Sequence, residues 1–290
     1  MDMKDKVEQA KQILKQIKLH SIPPEILELE AMLDNPNPNT AEVARVLAHN
    51  PEVLGEFLSL TNRVLNRQED DLILDAASAV HLLGLNDIRY LFLSGYLIKN
   101  LPTSETDQKV VLHSMRAGIA AAELSHWIYG LGRCEAYLAS FMQDVGALYM
   151  MRYDPEDYAQ TYFSRQLDYP LSAYRDEENH YQTAHTFVGG LIAKRWNLGN
   201  LLYRSIVFHH HDNLLEVATF DPKAAQMVAA NRIANYLVFK LFSDHFMTKE
   251  LERFFEEAQA FLNLPENALH AAEAALQKWG WGSGFHLSSH

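Results

Sequence analysis

A chain of 290 residues, 48% hydrophobic and 21% charged, has enough apolar material for a sizeable core in one large domain or two ordinary ones. Its net charge of −12 argues against nucleic acid as the default partner, without excluding a local basic patch. One cysteine, Cys134, excludes an internal disulfide and any CxxC redox or zinc element, and it reads as a buried small apolar residue.

Leu, Ala and Glu recur while runs rich in Val, Ile and Thr are missing, which predicts an all-α protein. Residues 4–18 repeat apolar positions at helical spacing until Pro23-Pro24, and a short helix follows to Leu33. Asn35-Pro36-Asn37-Pro38-Asn39 reads as a rigid linker, with Thr40 as the next cap. Asn50-Pro51-Glu52 is a second start signal, for a helix to about Val64. Helices are then expected over Leu72–Gly84, stopped by Gly84, and from Asn86-Asp87 to Asn100. The polar stretch Thr103 to Asp107 marks an internal boundary. Beyond it, helices are expected over about 108–128, 134–151, Tyr181–Trp196, 200–211, 222–243, 248–262 and 265–279, with another started by Asp154-Pro155-Glu156.

The N-terminus alternates charge and lacks a signal peptide's apolar stretch, and Leu91 to Ile98 is about half the length a bilayer needs, so a cytoplasmic location is expected. Residues 149–181 are rich in tyrosine, read either as packing or as a lid or partner surface. Asn62 is expected to hydrogen-bond across helices and fix the packing of the two halves. Arg45, Arg63, Arg67 and Arg89 could form a local basic face.

Several motifs together resemble the HDOD family, the HD-related output domain of bacterial signalling proteins. Residues 22–33 (Ile-Pro-Pro-Glu-Ile-Leu-Glu-Leu-Glu-Ala-Met-Leu) look like its opening helix. Residues 50–62, Asn-Pro-Glu-Val-Leu through Thr-Asn, are similar to its Asp-Pro…Leu…Asn signature, with Asn50 in place of Asp. Residues 74–85 resemble its Ser-Leu-x-x-Ala-Ile…Leu-Gly helix. The second half matches through His113-Ser114, Asp144-Val145-Gly146, His185 with Gly189, Trp196 and the His209-His210-His211 cluster, over about residues 20–240.

The resemblance implies an N-terminal helical subdomain (1–105) packed on an HD-like helical bundle (106–245), with a C-terminal helical extension (246–290). In the wider HD superfamily a His-Asp pair and two distant residues hold a divalent ion that activates water. Mapped by motif, a first ion would want residues 113, 143, 144 and 231. Gln143 and Asn231 are neutral amides there, leaving His113 and Asp144, and an amide oxygen binds a hard cation more weakly than a carboxylate. A second ion would want Asp144, His185 and His209 or His210, and two imidazoles with one carboxylate can hold Fe, Mn or Zn. Three consecutive histidines point about 100° apart on a helix, so His209, His210 and His211 cannot all face one site, and one or two of them face inward. His286 and His290 read as tail residues without a role.

The implied function is non-catalytic regulatory output through a protein partner or a small ligand, with no required cofactor, no membrane and no nucleic acid. The competing expectation is a metal-dependent phosphohydrolase acting on nucleotides or a cyclic dinucleotide. The Gly-Tyr-Pro element of the cyclic-di-GMP phosphodiesterase relatives does not occur here. A third is a scaffold that presents helices to a complex.

Overall fold

In the computed structural model, residues 2–33, 35 and 38–281 are described, and they are helical with no strand. Pro36 and Asn37 of the expected linker, with His286 and His290, lie outside them. The helices are α1 (Met3–Gln16), α2 (Pro24–Leu33), α3 (Thr40–Ala48), α4 (Pro51–Val64), α5 (Ala76–Leu82), α6 (Leu85–Asn100), α7 (Glu105–Leu124), α8 (Arg133–Met142) and α9 (Val145–Tyr153). A π-helical turn (Ala159–Phe163) leads into the short α10 (Ser164–Gln166). Then come α11 (Pro170–Tyr181), α12 (His185–Arg195), α13 (Gly199–Phe208), α14 (Leu214–Phe220), α15 (Pro222–Phe242), α16 (Lys249–Leu262) and α17 (Glu266–Trp279).

In the N-terminal half, α2 and α4 pack on α6, and α3 packs on α5. In the second half α7 is central, contacting α8, α15 and α17. There α12 packs on α9 and α13, and α16 lies on α15. Helix α1 rests on α9 and α12, so the chain's first helix sits on the second half. Among the described residues no helix is long and apolar enough to cross a membrane. Cys134 is buried in the core, as its apolar character requires.

Local chemistry explains where the observed elements depart from the expected ones. The cap of α3 is Asn39, whose side chain accepts from the Ala41 N–H, so Thr40 is already helical. Asn50 caps α4 through the Val53 N–H, with Pro51 in the first turn as the pattern predicts. The Leu72–Gly84 helix is shorter than expected. Ile73 is tied down by the Asn62 side chain, Asp75 caps α5 through Ser78, and Gly84 is the N-cap of α6 rather than a stop. Tyr181 ends α11, a helix the reading missed, instead of opening α12.

Asn62 therefore does not join the two halves. Its Nδ2 donates to the Ile73 carbonyl (2.9 Å), and its Oδ1 accepts the Ile73 N–H (2.8 Å), locking a loop onto its own helix. One tie across the halves is Arg89 of α6, which donates to Glu30 of α2 and to the Asn197 carbonyl (2.8 Å) between α12 and α13. Arg63 and Arg89 are buried, so the four arginines form no common basic face. Asn62→Ala leaves both Ile73 backbone groups buried without this partner. It is expected to lower unfolding free energy by about 2–3 kcal/mol in urea titration, whereas a loss under about 0.5 kcal/mol would show the loop held by other contacts.

Candidate metal centre

The expected 134–151 helix is two helices, broken at Gln143-Asp144. Helix propensity is good on both sides. The break is a tertiary demand, because it turns Asp144 (φ −101°, ψ 12°) out of helical register toward the histidines. Two residues on, Gly146 faces the start of α12 so closely that a Cβ there would lie 1.9 Å from the His185 carbonyl oxygen. That backbone-to-backbone contact sets His185, the first residue of α12, beside Asp144. Helix α13 stops at Phe208, and His209 and His210 sit in the turn that follows. Arg232 of α15 fixes this turn by donating to the His211 carbonyl while pairing with Glu257 (2.7 Å).

Asp144, His185, His209 and His210 converge, each offering a ligand atom within 4.8 Å of the others, and all four are buried. His185 Nε2 lies 3.3 Å from His209 Nε2 and 3.6 Å from Asp144 Oδ1, and His209 Nε2 lies 3.5 Å from that oxygen. The hydrogen bonds assign the tautomers. His209 Nδ1 meets the Ile206 carbonyl at 2.7 Å and His185 Nδ1 meets the Glu177 carboxylate at 2.7 Å. The Ile206 carbonyl only accepts, and at His185 the charged Glu177 oxygen is nearer than the Gln166 Nε2 (3.1 Å), so each Nδ1 carries the proton and in the neutral rings each Nε2 is a bare lone pair. Two imidazole lone pairs and a carboxylate oxygen thus face one another with no proton between them in the neutral-ring state, which calls for a cation. Tetrahedral coordination with bonds of about 2.0–2.1 Å has donor–donor edges of about 3.3–3.4 Å, close to the observed triangle. His210 is the natural fourth donor, since both of its buried ring nitrogens have no hydrogen-bond partner among the described residues.

The electrostatics keep Asp144 charged and His210 neutral, while without an ion they favour the protonated ring at His185. Burial alone would raise the Asp144 carboxyl, but the His209 ring beside it, with His185 and His113, reverses this and holds its pKa at about 2. Burial depresses His210 well below the ordinary imidazole value, and the neighbouring His209, His185 and Arg232 push the same way, so it is neutral and fit to ligate. For His185, burial also works downward, but Glu177 and Asp144 outweigh it and the net shift is upward.

Behind His185 stands Glu177, fully buried. One oxygen accepts the His185 N–H (2.5 Å) and the Tyr158 hydroxyl (3.0 Å); the other accepts His185 Nδ1–H and Gln166 Nε2–H (2.8 Å). A carboxylate that orients a histidine in this way is the usual support of a metal ligand. Tyr174 stacks on His210 at 5.4 Å, and Tyr158, Tyr162 and Tyr181 pack on one another, so the tyrosine-rich segment packs over the cluster.

His113 is not in the four-donor group. Its Nε2 lies 3.1 Å from Asn235 Oδ1, an acceptor, so this nitrogen carries a proton and has no lone pair to offer. Asn235 in turn exchanges two amide hydrogen bonds with Gln143, at 2.8 and 3.1 Å. The amide at this corner is thus Asn235, one turn beyond Asn231. Asn231 is buried with its own amide unpaired by any hydrogen bond among the described residues. His211 stays outside the cluster, bonding locally near Asn213. A cavity of about 40 Å³, lined by His113, Asp144, Gln166, His209, His210 and Asn235 among others, connects the two corners.

Sequence reasoning missed Asn235, Gln166 and Glu177. Asn235 shares a helix face with Asn231, and that i, i+4 pair was a readable signal. Glu177 sits in Arg-Asp-Glu-Glu-Asn-His, which reads as a solvated charge run.

Fold and site together define an all-α protein of the HD type: a helical bundle with histidines and an aspartate gathered at a buried polar centre. The HDOD domain model matches residues 19–212, and the chain belongs to the HDOD family. Among solved structures it is similar to an HDOD domain protein of unknown function from Geobacter sulfurreducens (20% identity, 96% of this chain and 95% of that one, TM-score 0.69). It is also similar to a Shewanella amazonensis protein provisionally described as a phosphohydrolase (20%, 94% and 94%, TM-score 0.66). A third is a Marinobacter aquaeolei protein provisionally described as acting in signal transduction (13%, 94% and 67%, TM-score 0.55). These likenesses show the fold. A comparison with curated proteins finds no match.

Proposed function

We propose that this chain is a regulatory output protein that acts by binding a protein partner or small ligand rather than by turnover, and that Asp144, His185, His209 and His210 hold a single divalent ion. The observation that carries this reading is the amide-locked corner. Gln143 and Asn235 satisfy each other, and His113 donates to Asn235, so two of the groups mapped to a first ion, His113 and Gln143, are engaged with a neighbouring amide. Phosphoester hydrolysis by a two-ion clamp needs both ions, about 3.5–4 Å apart, to stabilise attacking and leaving oxygens. With one set of ligands closed, the remaining four donors form the type of site that is structural when all positions are filled by protein. An ion bound there would supply charge neutralisation, with Asp144 and Glu177 as the matching negative charges. It would also bind α9, α12 and the end of α13 together.

Metal content separates the readings. Protein purified without added ions should carry roughly one equivalent of metal by plasma mass spectrometry, and Asp144→Ala should carry none. Equal, negligible metal in both would end the metal reading. With a generic phosphodiester and added Mn²⁺, turnover should stay at background. Cleavage that disappears in Asp144→Ala would establish the hydrolase instead.

A further inference from the structure

A second cavity lies at the other end of α9, where the two halves of the chain meet. It encloses about 540 Å³. Lys18, Leu19, His20 and Ser21, from the connection between α1 and α2, form one wall; Tyr96, Thr103 and Arg152 form the other. That connection straps the halves together, since α1 packs on α9 and α12 while α2 packs on α6.

No carboxylate is among the lining residues. Arg152 donates to the Leu101 carbonyl (2.6 Å) and lies 3.5 Å from Asp107 Oδ2. That oxygen already accepts the Thr103 N–H (2.8 Å) and hydroxyl (2.7 Å), so it compensates the guanidinium only in part. Lys18 makes no ion pair among the described residues. Tyr96 has one long hydroxyl contact, 3.4 Å to the Ser21 carbonyl. His20 meets the Tyr149 hydroxyl at 2.9 Å. Its pKa is lowered mainly by burial, with Arg152 and Lys18 adding in the same direction.

We propose that this seam cavity binds a small phosphorylated ligand, its phosphate held by Lys18, Tyr96 and Arg152. Two permanent cations match the charge of a phosphomonoester, close to −2 at neutral pH, better than that of a single carboxylate. The volume falls in the range of small-molecule sites, about 300–1,000 Å³, and leaves room beside the Tyr96 ring and Leu19 for the ligand's remaining part. The site is independent of the histidine cluster and stands whether or not an ion binds there.

Calorimetric titration with inorganic phosphate and with adenosine 5′-monophosphate, at matched ionic strength in chloride, tests it. At least one of the two should bind saturably to the wild-type protein. Lys18→Glu, at an exposed side chain, should weaken that binding at least tenfold while the circular dichroism spectrum and melting temperature stay unchanged. Tyr96→Phe should weaken it less. Asp144→Asn, at the other end of α9, should leave the affinity unchanged. Binding by phosphate alone or by the nucleotide alone identifies which source fits the cavity. Absence of saturable binding by either probe, or equal affinity in wild type and Lys18→Glu, would overturn the proposal. Loss in Asp144→Asn with retention in Lys18→Glu would move the anion to the histidine cluster and overturn it equally.

Discussion

Gly146→Ala is expected to be the most damaging single-methyl change in the protein. The added Cβ would meet the His185 carbonyl oxygen at 1.9 Å, the Gly189 nitrogen at 2.6 Å and the His185 carbonyl carbon at 2.8 Å. All three are backbone atoms, so no side-chain rotation relieves the clash, and α9 must move away from α12. Overpacking of a tight core costs about 1–3 kcal/mol when side chains can adjust, and a loss at or above the top of that range is expected here. The same displacement pulls His185 from Asp144, so metal content should fall along with the urea midpoint. Gly55→Ala is the control. A Cβ there meets nothing within 4 Å, it lies inside α4, and replacing an exposed helical glycine should raise stability by about 0.5–1 kcal/mol. If Gly146→Ala melted within a degree or two of wild type with its metal intact, the close approach of α9 and α12 would not be what builds the site.

Glu177→Gln should have the second-largest effect. The wild-type carboxylate accepts four hydrogen bonds, from His185 twice, Tyr158 and Gln166, and is closed off from solvent. An amide of the same shape can accept through one oxygen only, and its NH₂ would face donors. Disrupting a buried charged network of this kind costs about 3–5 kcal/mol. The effect on metal binding is separable from that on stability. Losing the carboxylate behind a ligating histidine typically lowers affinity about 10–100-fold, measurable by competition with a zinc-binding dye at temperatures where the variant stays folded. Unchanged affinity would mean that His185 does not act as a ligand. Replacing Glu178, which pairs with Lys6 near the surface, should leave the affinity untouched.

Much of the helical layout was legible because it rests on local chemistry. Apolar spacing of 3.6 residues, Asn50-Pro51 at a helix start and Pro222 after Asp221 are all written in neighbouring residues. The departures fall where distant contacts override propensity. Nothing next to Gln143 says that a helix must stop there. The stop exists because Asp144 has to face His209, 65 residues later, across a contact that only Gly146 permits. Likewise Asn62 looked like a bridge between halves, yet its amide is matched to a loop eleven residues away. The histidine set was recoverable by motif, whereas its supporting residues were not. Glu177 is dressed as a surface acid, and its burial depends on how α11 packs on α10 and the π-helical turn.

Helix α9 spans the distance between the buried centre and the seam. Asp144 stands at the head of α9 and Arg152 in its final turn, about 12 Å apart at the usual helical rise. A rod of that length hardly compresses, so it keeps the seam and the buried centre at a fixed separation. Helix α9 is therefore a spacer, holding the carboxylate of the buried centre in place while the seam fills or empties.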